Sequence, residues 1–433
     1  MADSSLRVVV IGGGIGGLCL AQGLKKAGVA VSVHERDRSP TARLQGYRIH
    51  ISPRGARALQ ECLPGHLWQA FANSCGRSLN SFRFLTHRME ELLRVESPED
   101  GNLERHYSAS RSRLRQVLLA ELDEVVHFDR IFTRYEILAH GGVRAHFEDG
   151  RSAEGDVLVG ADGGNSRVRR QLLPQAERID TGIRALGGKV ILDDRTRAEL
   201  PASLLQGPTL VRAPGAHAMF LAVQELVGPD GRADSRDVGA GESHPIADLR
   251  FEDNQSYLMW GLSGRGADSG FPTERGQMTD EALRDLALRV CSDWHPAFLR
   301  MIRMTEPSTI GVIAIRTSRP VEPWPTGPVT LIGDAIHSMT PYRGIGGNVA
   351  LRDASLLARN LTAVQRGEAS LIEAIHDYET AMIDYGFKAV QSSLQAAEQA
   401  HASSALQLWI GNALFRLVNR LPALKTRMMR GDD

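Results

Sequence analysis

The chain lacks most of what would tie it to a secreted, metal-bound or nucleic-acid-bound protein. Only four cysteines occur in 433 residues: Cys19, Cys62, Cys75 and Cys291. None forms a Cys-x-x-Cys pair and no histidine cluster completes a ligand set. A disulfide framework and a metal site are therefore not expected, and reduced thiols in a cytoplasmic protein are. Net charge is missing too, because Lys+Arg and Asp+Glu both number 51. A broad electrostatic grip on nucleic acid has no source in such a chain. No stretch reaches the roughly 18 apolar residues of a spanning helix. The apolar run after MADSSLR is short and enters a glycine loop rather than a cleavage site, which argues against a signal peptide. Repeats and long low-complexity tracts are also missing. The rest is ordinary globular composition, 42% hydrophobic and 24% charged, at a length that predicts two domains.

The patterning begins as strand, glycine turn, helix, strand. Val8 to Ile11 is a continuous apolar run, as a strand buried on both faces requires. Leu18, Ala21, Leu24 and Ala27 recur at helical spacing, and Gly28 is placed to end that helix. Val29, Val31 and Val33 lead a second strand to Glu35. Ser110 to Val126 reads as a helix with Leu114, Val117, Leu118 and Leu122 on its apolar stripe. Val143 to Phe147 alternates like a half-buried strand, Asp149-Gly150 is a hairpin turn, and another strand starts at Asp156. From Thr181 to Ile310 short strand-like pieces appear, Lys189 to Leu192, His217 to Val223 and Tyr257 to Leu262, as in a mostly antiparallel sheet. Gly228 to Pro245 reads as a long loop. Thr330 to Gly333 is a further buried strand, and a helix follows from about Asn348. The C-terminal part is helical. Leu408, Ile410, Leu414, Phe415, Leu417 and Val418 give it an apolar face, with Arg416, Arg420, Lys425, Arg427 and Arg430 on or beside it. Such a face suits packing on its own domain or a homodimer partner, or docking at a membrane surface.

Gly12, Gly14 and Gly17 form a Gly-x-Gly-x-x-Gly loop around Ile15. The first glycine permits the tight strand-to-helix turn, the second lets a pyrophosphate approach the backbone, and the third lets helix pack on strand. The helix start then offers free N–H groups and partial positive charge to phosphates. Alone the motif is weak. Here a strand precedes it, a helix follows, and Glu35 closes the second strand where a carboxylate reaches a ribose hydroxyl. Arg36 beside it is placed either to stack on an adenine or to stand solvated.

Two further segments carry a resemblance. Asp156-Val-Leu-Val-Gly160-Ala-Asp162-Gly163-Gly-Asn-Ser166-Arg-Val168-Arg169 resembles the Asp-Gly fingerprint of flavoprotein hydroxylases. Leu331-Ile-Gly333-Asp334-Ala335-Ile-His337, with Pro341, Gly344, Gly346, Gly347 and Asn348 after it, resembles their Gly-Asp fingerprint. With the N-terminal loop, all three stand in family order, and the chain resembles the class A FAD-dependent monooxygenases of the para-hydroxybenzoate hydroxylase type. The resemblance covers residues 1 to about 180 and 310 to about 365. It implies an α/β fold: a Rossmann-like FAD-binding domain, an inserted mostly antiparallel β-sheet substrate domain, and C-terminal helices. Residues 1-75, 105-180 and 310-365 would form the first, 76-104 and 181-309 the second, and 366-433 the helical region.

The resemblance also implies roles. Asp334 would accept from a ribityl hydroxyl, and the glycine loop from Gly344 would face the flavin's pyrimidine edge, stiffened by Pro341. Asp162 and Gly163 would lie near FAD and the nicotinamide route, with an Asp-Gly turn cap as the plain alternative for Asp162. Arg111 would reach the FAD diphosphate, and Arg48 would stand beside the flavin. NAD(P)H would be a transient co-substrate, since no second dinucleotide loop occurs. O2 would supply the oxygen given to a small-molecule substrate, a bulky aromatic or polyketide-like compound of secondary metabolism such as antibiotic biosynthesis. The Trp-x-Trp-x-Ile-Pro signature of flavin halogenases is missing; Pro323-Trp324-Pro325 does not match it. A catalytic base is not identified. His217, Tyr257 and His337 qualify by type only, and Met219, Phe220, Met259 and Trp260 are placed either to line a pocket or to fill a core. A non-redox cyclase or isomerase that retains FAD, and a flavin-bound sequestering protein, would carry the same cofactor loops.

Overall fold

The computed structural model describes residues 5–42, 48–76, 81–96, 105–225, 255–266, 270–274, 276–401 and 404–421. The loop expected at Gly228 to Pro245 and the basic residues Lys425, Arg427 and Arg430 lie outside them. The opening pattern folds as its periodicity dictates. Strand β1 (Arg7–Ile11) leads to helix α1 (Ile15–Lys26), whose C-cap Ala27 is followed by Gly28 at φ 75°. Strand β2 (Ala30–His34) then returns parallel to β1. A ribbon of β3 (Arg48–Ile51) and β6 (Tyr107–Ser110) brackets helices α2 (Pro53–Cys62) and α3 (Gly65–Ser74) and strands β4 (Ser81–Thr86) and β5 (Glu91–Glu96). Helix α4 (Arg111–Leu119) is shorter than expected. Ala120 leaves helical geometry, Glu121 takes φ 62°, and the chain turns so that β7 (Val126–His127) can pair with β2. Strand pairing there overrides helical propensity.

Strands β8 (Phe132–Ile137), β9 (Val143–Phe147) and β10 (Ser152–Gly155) form a small antiparallel sheet, with Gly150 at φ 82° in the β9–β10 turn. Next come β11 (Val157–Gly160) and α5 (Arg167–Leu172). The strand expected from Lys189 is the end of β12 (Arg178–Ile191), which runs for 14 residues. Helix α6 (Asp194–Glu199) and strands β13 (Thr209–Arg212), β14 (His217–Gln224) and β15 (Tyr257–Arg265) follow, then α7 (Asp280–Val290) and α8 (Pro296–Arg303). The chain closes with β16 (Gly311–Ser318), β17 (Val329–Leu331), α9 (Asp334–His337), α10 (Gly346–Gln365), α11 (Leu371–Ala400) and α12 (Ala405–Arg420).

Two sheets organise these elements. A parallel sheet in the order β17-β11-β1-β2-β7 carries α1 and α10 and holds one large core. A seven-stranded sheet, β16-β12-β15-β14-β13-β4-β5, is antiparallel except at β13–β4. Residues 311–318, grouped on the sequence with the nucleotide-binding segments, form its edge strand β16. Alternation gives this sheet two faces. Met219, Leu221, Leu258, Trp260 and Leu262 pack into a second core with Phe298 and Ile302. The opposite face turns toward the nucleotide-binding part, as two contacts fix: Gln224 bonds to Ser108 of β6, and Ser263 bonds to His401 at the end of α11. Met219 and Trp260 are therefore core, with Trp260 donating its indole N–H to Thr305 Oγ1 at 2.8 Å, while Phe220 and Met259 face the interface. Helix α12 turns Phe415 onto Phe84 and buries Val418, leaving Ile410, Leu414 and Leu417 exposed. No helix among the described residues is long and apolar enough to cross a membrane.

Candidate active site

The N-terminal loop sits where β1 meets α1. Gly12 has φ 112°, and a Cβ there would run into the Ala161 carbonyl oxygen; a Cβ at Gly17 would run into the Gly12 carbonyl oxygen. Both glycines are required by the fold itself. Gly14 differs, since a Cβ on it would meet no described atom within 4 Å. It caps α1 and faces open space with Ile15 at the start of the first turn, which fits close approach by a diphosphate. Buried Glu35 accepts the Gly13 N–H at 2.6 Å and the Asp37 N–H at 2.9 Å, so the loop and the end of β2 are locked together. Each carboxylate oxygen retains a lone pair for a ribose hydroxyl. Arg36 is exposed beside it.

The segment after β11 supplies a second wall. Asp162 Oδ2 accepts from the N–H groups of Arg167 at 2.7 Å and Val168 at 3.3 Å, so the turn-capping role is real. Its Oδ1 is buried and bonds no described residue, and burial raises the carboxyl pKa, opposed by the Ser166 hydroxyl and the backbone N–H bonds. Gly163 adopts φ 74° beside it, with open space at its Cβ position. Arg169 reaches across to the carbonyl of Ala335 at 2.8 Å and to that of Gly164 at 3.1 Å, tying this turn to α9. Arg178 bonds Asn165 at 3.1 Å; burial lowers its pKa and the nearby Asp334 carboxylate opposes that shift.

The third segment joins β17 to α10. Gly333 takes φ 59°, and a Cβ there would stand 3.0 Å from Ala350 Cβ. Its N–H donates to Asp353 Oδ2 at 2.7 Å. The same oxygen meets His337 Nε2 at 2.7 Å, and Tyr385 donates to Asp353 Oδ1 at 2.6 Å. His337 and Asp353 are fully buried; burial pulls the imidazole pKa down, yet Asp353 and Asp334 carry it above its ordinary value. His337 is thus part of the loop's foundation. Asp334 itself is exposed, and no described residue hydrogen-bonds its carboxylate, which leaves it open to a sugar hydroxyl. Pro341 starts a short turn ended by Gly344 at φ 65°, whose N–H bonds the Pro341 carbonyl at 3.0 Å. Gly344 has open space at its Cβ position, and Gly346 begins α10 with first-turn N–H groups that have no partner within the helix. A Cβ at Gly347 would stand 2.5 Å from Ile49 Cδ1, so the Ile49 side chain would have to shift to admit one. Asn348 is a clamp: its Oδ1 accepts the Ser52 N–H at 2.8 Å and its Nδ2 donates to the His50 carbonyl at 2.9 Å.

Arg111 stands exposed at the first position of α4. Arg48 leaves β3 toward the seven-stranded sheet, where its Nε donates to Ser108 Oγ at 2.6 Å. His217 sits at the start of β14 against the Pro214 carbonyl at 3.3 Å, and Tyr257 is buried at the start of β15. The structure adds residues the sequence did not single out: Arg169, Arg178, Asp353 and Tyr385 beneath the loops, and Tyr342, whose hydroxyl meets His401 Nε2 at 3.2 Å. Only Arg169 lay inside a quoted motif; the others come from elements whose approach no spacing reveals. No group of three or more potential metal ligands occurs among the described residues, and all four cysteines are free.

The FAD binding domain family matches residues 5–198 and 274–393. The chain belongs to this family of FAD-dependent monooxygenases. Among its relatives, the dual O-methyltransferase/FAD-dependent monooxygenase elcB of Phaeosphaeria nodorum is 32% identical over 393 residues, 83% of this chain but 40% of that protein. The chain thus spans less than half the length of this curated relative. The FAD-dependent monooxygenase thnD of Trichoderma harzianum is 27% identical over 92% of this chain and 95% of its own. A solved structure described as a FAD-containing monooxygenase of Photorhabdus luminescens is 34% identical, covers 92% of this chain and 99% of its own, and superposes with a TM-score of 0.78. The family's cofactor is FAD, and the open space at Gly14 and Gly344 and the unbonded carboxylate of Asp334 are features that would suit it.

Proposed function

We propose that the chain is an NAD(P)H-using, FAD-dependent monooxygenase. Its substrate is a bulky aromatic or polyketide-like small molecule of secondary metabolism, which it hydroxylates or epoxidises with O2. The observation that carries this reading is the meeting of the glycine loop before α10 with the open face of the seven-stranded sheet. A redox ring held at the first and a substrate held on the second would stand against each other. When bound, FAD supplies the electron transfer from NAD(P)H and the transfer of oxygen. The chain's own residues do the rest. The α10 N–H groups and the left-handed Gly344 turn would hold the electron-rich edge of the ring. Asp334 and Glu35 would orient it through its sugars. Phe220, Met259 and Ala222 give the opposing face an apolar lining that excludes water. Asp162 keeps one buried oxygen that hydrogen-bonds no described residue. The four free cysteines suit a cytoplasmic setting.

The test is NAD(P)H oxidation by the purified yellow protein against a panel of phenols and polyketides, with isotopically labelled O2. Substrate-stimulated oxidation with label in the product is expected. The same product formed without O2 or NAD(P)H would select the cyclase reading, and tight binding without product the sequestering one.

A further inference from the structure

Three glycines stand in one row across the open face of the large sheet. Gly187 of β12 pairs with Gly311 of β16 on one side and with Gly261 of β15 on the other. Glycine in a strand interior weakens it, and none of these three has a backbone that demands glycine. Space does not demand it either. A Cβ at Gly261 or Gly311 would meet no described atom within 4 Å, and one at Gly187 only the Trp260 carbonyl oxygen at 3.5 Å. No described residue requires the row, which leaves bare backbone on this face for a ligand. At normal strand spacing the row is roughly 10 Å wide. On this face the row is flanked by Phe220 opposite Gly261, Met259 two residues back, Ile313, which is 55% exposed, and Lys189 two residues beyond Gly187, whose ammonium stands 5.5 Å from the Tyr257 ring centroid.

Arg48 projects from the nucleotide-binding part to the end of the same face marked by the register pair Gln224 and Tyr257. Its Nε is fixed by Ser108, which is itself bonded to Gln224 at 2.9 Å. The two terminal nitrogens of the guanidinium hydrogen-bond no described residue, and no described carboxylate lies against it. Desolvation brings its pKa down to about 10, with Tyr257 opposing. A desolvated cation without a counter-ion is costly unless something else brings the negative charge.

We infer that this face binds a planar, fused-ring phenol as its anion, with the ring system flat on Gly311, Gly187 and Gly261 and the phenolate paired with Arg48. The inference rests on the monooxygenase reading only for where the flavin lies. Tyr342, next to Pro341 on the flavin loop, is joined through His401 to Ser263, two residues beyond Gly261, so the floor and the flavin loop are neighbours. Holding the phenol ionised makes its ring electron-rich, the state that favours attack by an electrophilic oxygen.

Alizarin, a planar three-ring phenol whose colour reports its ionisation, is the probe. It is titrated into the FAD-loaded protein at a pH where the free dye is neutral, and read at wavelengths beyond the flavin bands. The wild type should bind it in the anionic colour. Arg48→Met should lose that colour and weaken binding about 10- to 100-fold, with Arg48→Lys recovering part of both. Gly261→Val should weaken binding at least about tenfold while FAD content is unchanged and thermal stability is equal or higher, because a β-branched residue suits a strand. The bulky, non-planar 4-cyclohexylphenol should not displace the dye. Failure to bind, binding as the neutral dye, unchanged binding in either variant, displacement by the non-planar phenol, or loss of FAD in Arg48→Met would each overturn the inference. Anionic binding without any NAD(P)H oxidation on the wider panel would leave it standing and defeat the monooxygenase reading instead.

Discussion

Gly12 and Gly14 belong to one motif but are glycines for different reasons. Gly12 is forced by φ 112° and by the Ala161 carbonyl, whereas Gly14 has an unstrained backbone and open space. Gly12→Ala should therefore lower the melting temperature of the FAD-free protein, through strain of about 1–3 kcal/mol. Gly14→Val should cost the FAD-free protein no more than about 1 kcal/mol, the loss of a favourable N-cap, and weaken FAD binding at least about tenfold. Differential scanning fluorimetry and FAD titration separate the two; equal effects on stability would refute the distinction. Both glycines are legible in the sequence because they follow a buried strand and precede a helix. The contrast between them is not, since it depends on the approach of Ala161 from the far end of β11.

At the scale of elements, the Gly-Asp loop is held from beneath by α10 and α11. Asp353 accepts from Gly333, His337 and Tyr385, and its pairing with His337 is fully buried. Asp353→Asn breaks this buried pair and should destabilise the protein by about 3 kcal/mol, seen as a lower denaturation midpoint. It should also weaken FAD binding, because the Gly333 turn that aims Asp334 loses its anchor. A variant with wild-type stability and FAD affinity would show that the foundation is not needed. Local signals carried the nucleotide-binding elements well: β1, α1, β2, the β9–β10 hairpin and the strand before α9 all have short-range patterns. The substrate sheet was legible in kind but not in extent. Half of β12 has the glycines and charges of a loop, and only pairing with β15 and β16 makes it a strand. The helix expected to reach Val126 failed for the same reason, because β2 offers β7 a partner. Which residues face the site was hidden until the register was known, as Met219 and Phe220 illustrate.

For the whole molecule, the buried histidines set a pH dependence. Burial, with the neighbouring charges of His127 and Arg130, depresses the pKa of His34 to about 3; burial with Arg48 and His106 brings His50 to about 3; burial, opposed by the Ala397 carbonyl, brings His401 to about 4. Such groups contribute stability above the unfolded value of about 6.5 that is lost as pH falls toward the folded values. His337, shifted upward, has the opposite sign: its contribution is full below about 6.5 and is lost as pH rises through its folded value. Between these limits the unfolded chain binds about three more protons than the folded one from these four groups, a slope of up to about 4 kcal/mol per pH unit. Melting temperature should fall on acidification from pH about 7 to about 5, and a rise would contradict the assignment. Binding of the cofactor is tested most directly by stripping the flavin and titrating FAD back into the folded protein. One equivalent should be taken up with a shift of the flavin absorption bands, restoring a yellow protein. A folded protein that stays colourless and takes up no FAD would contradict the account.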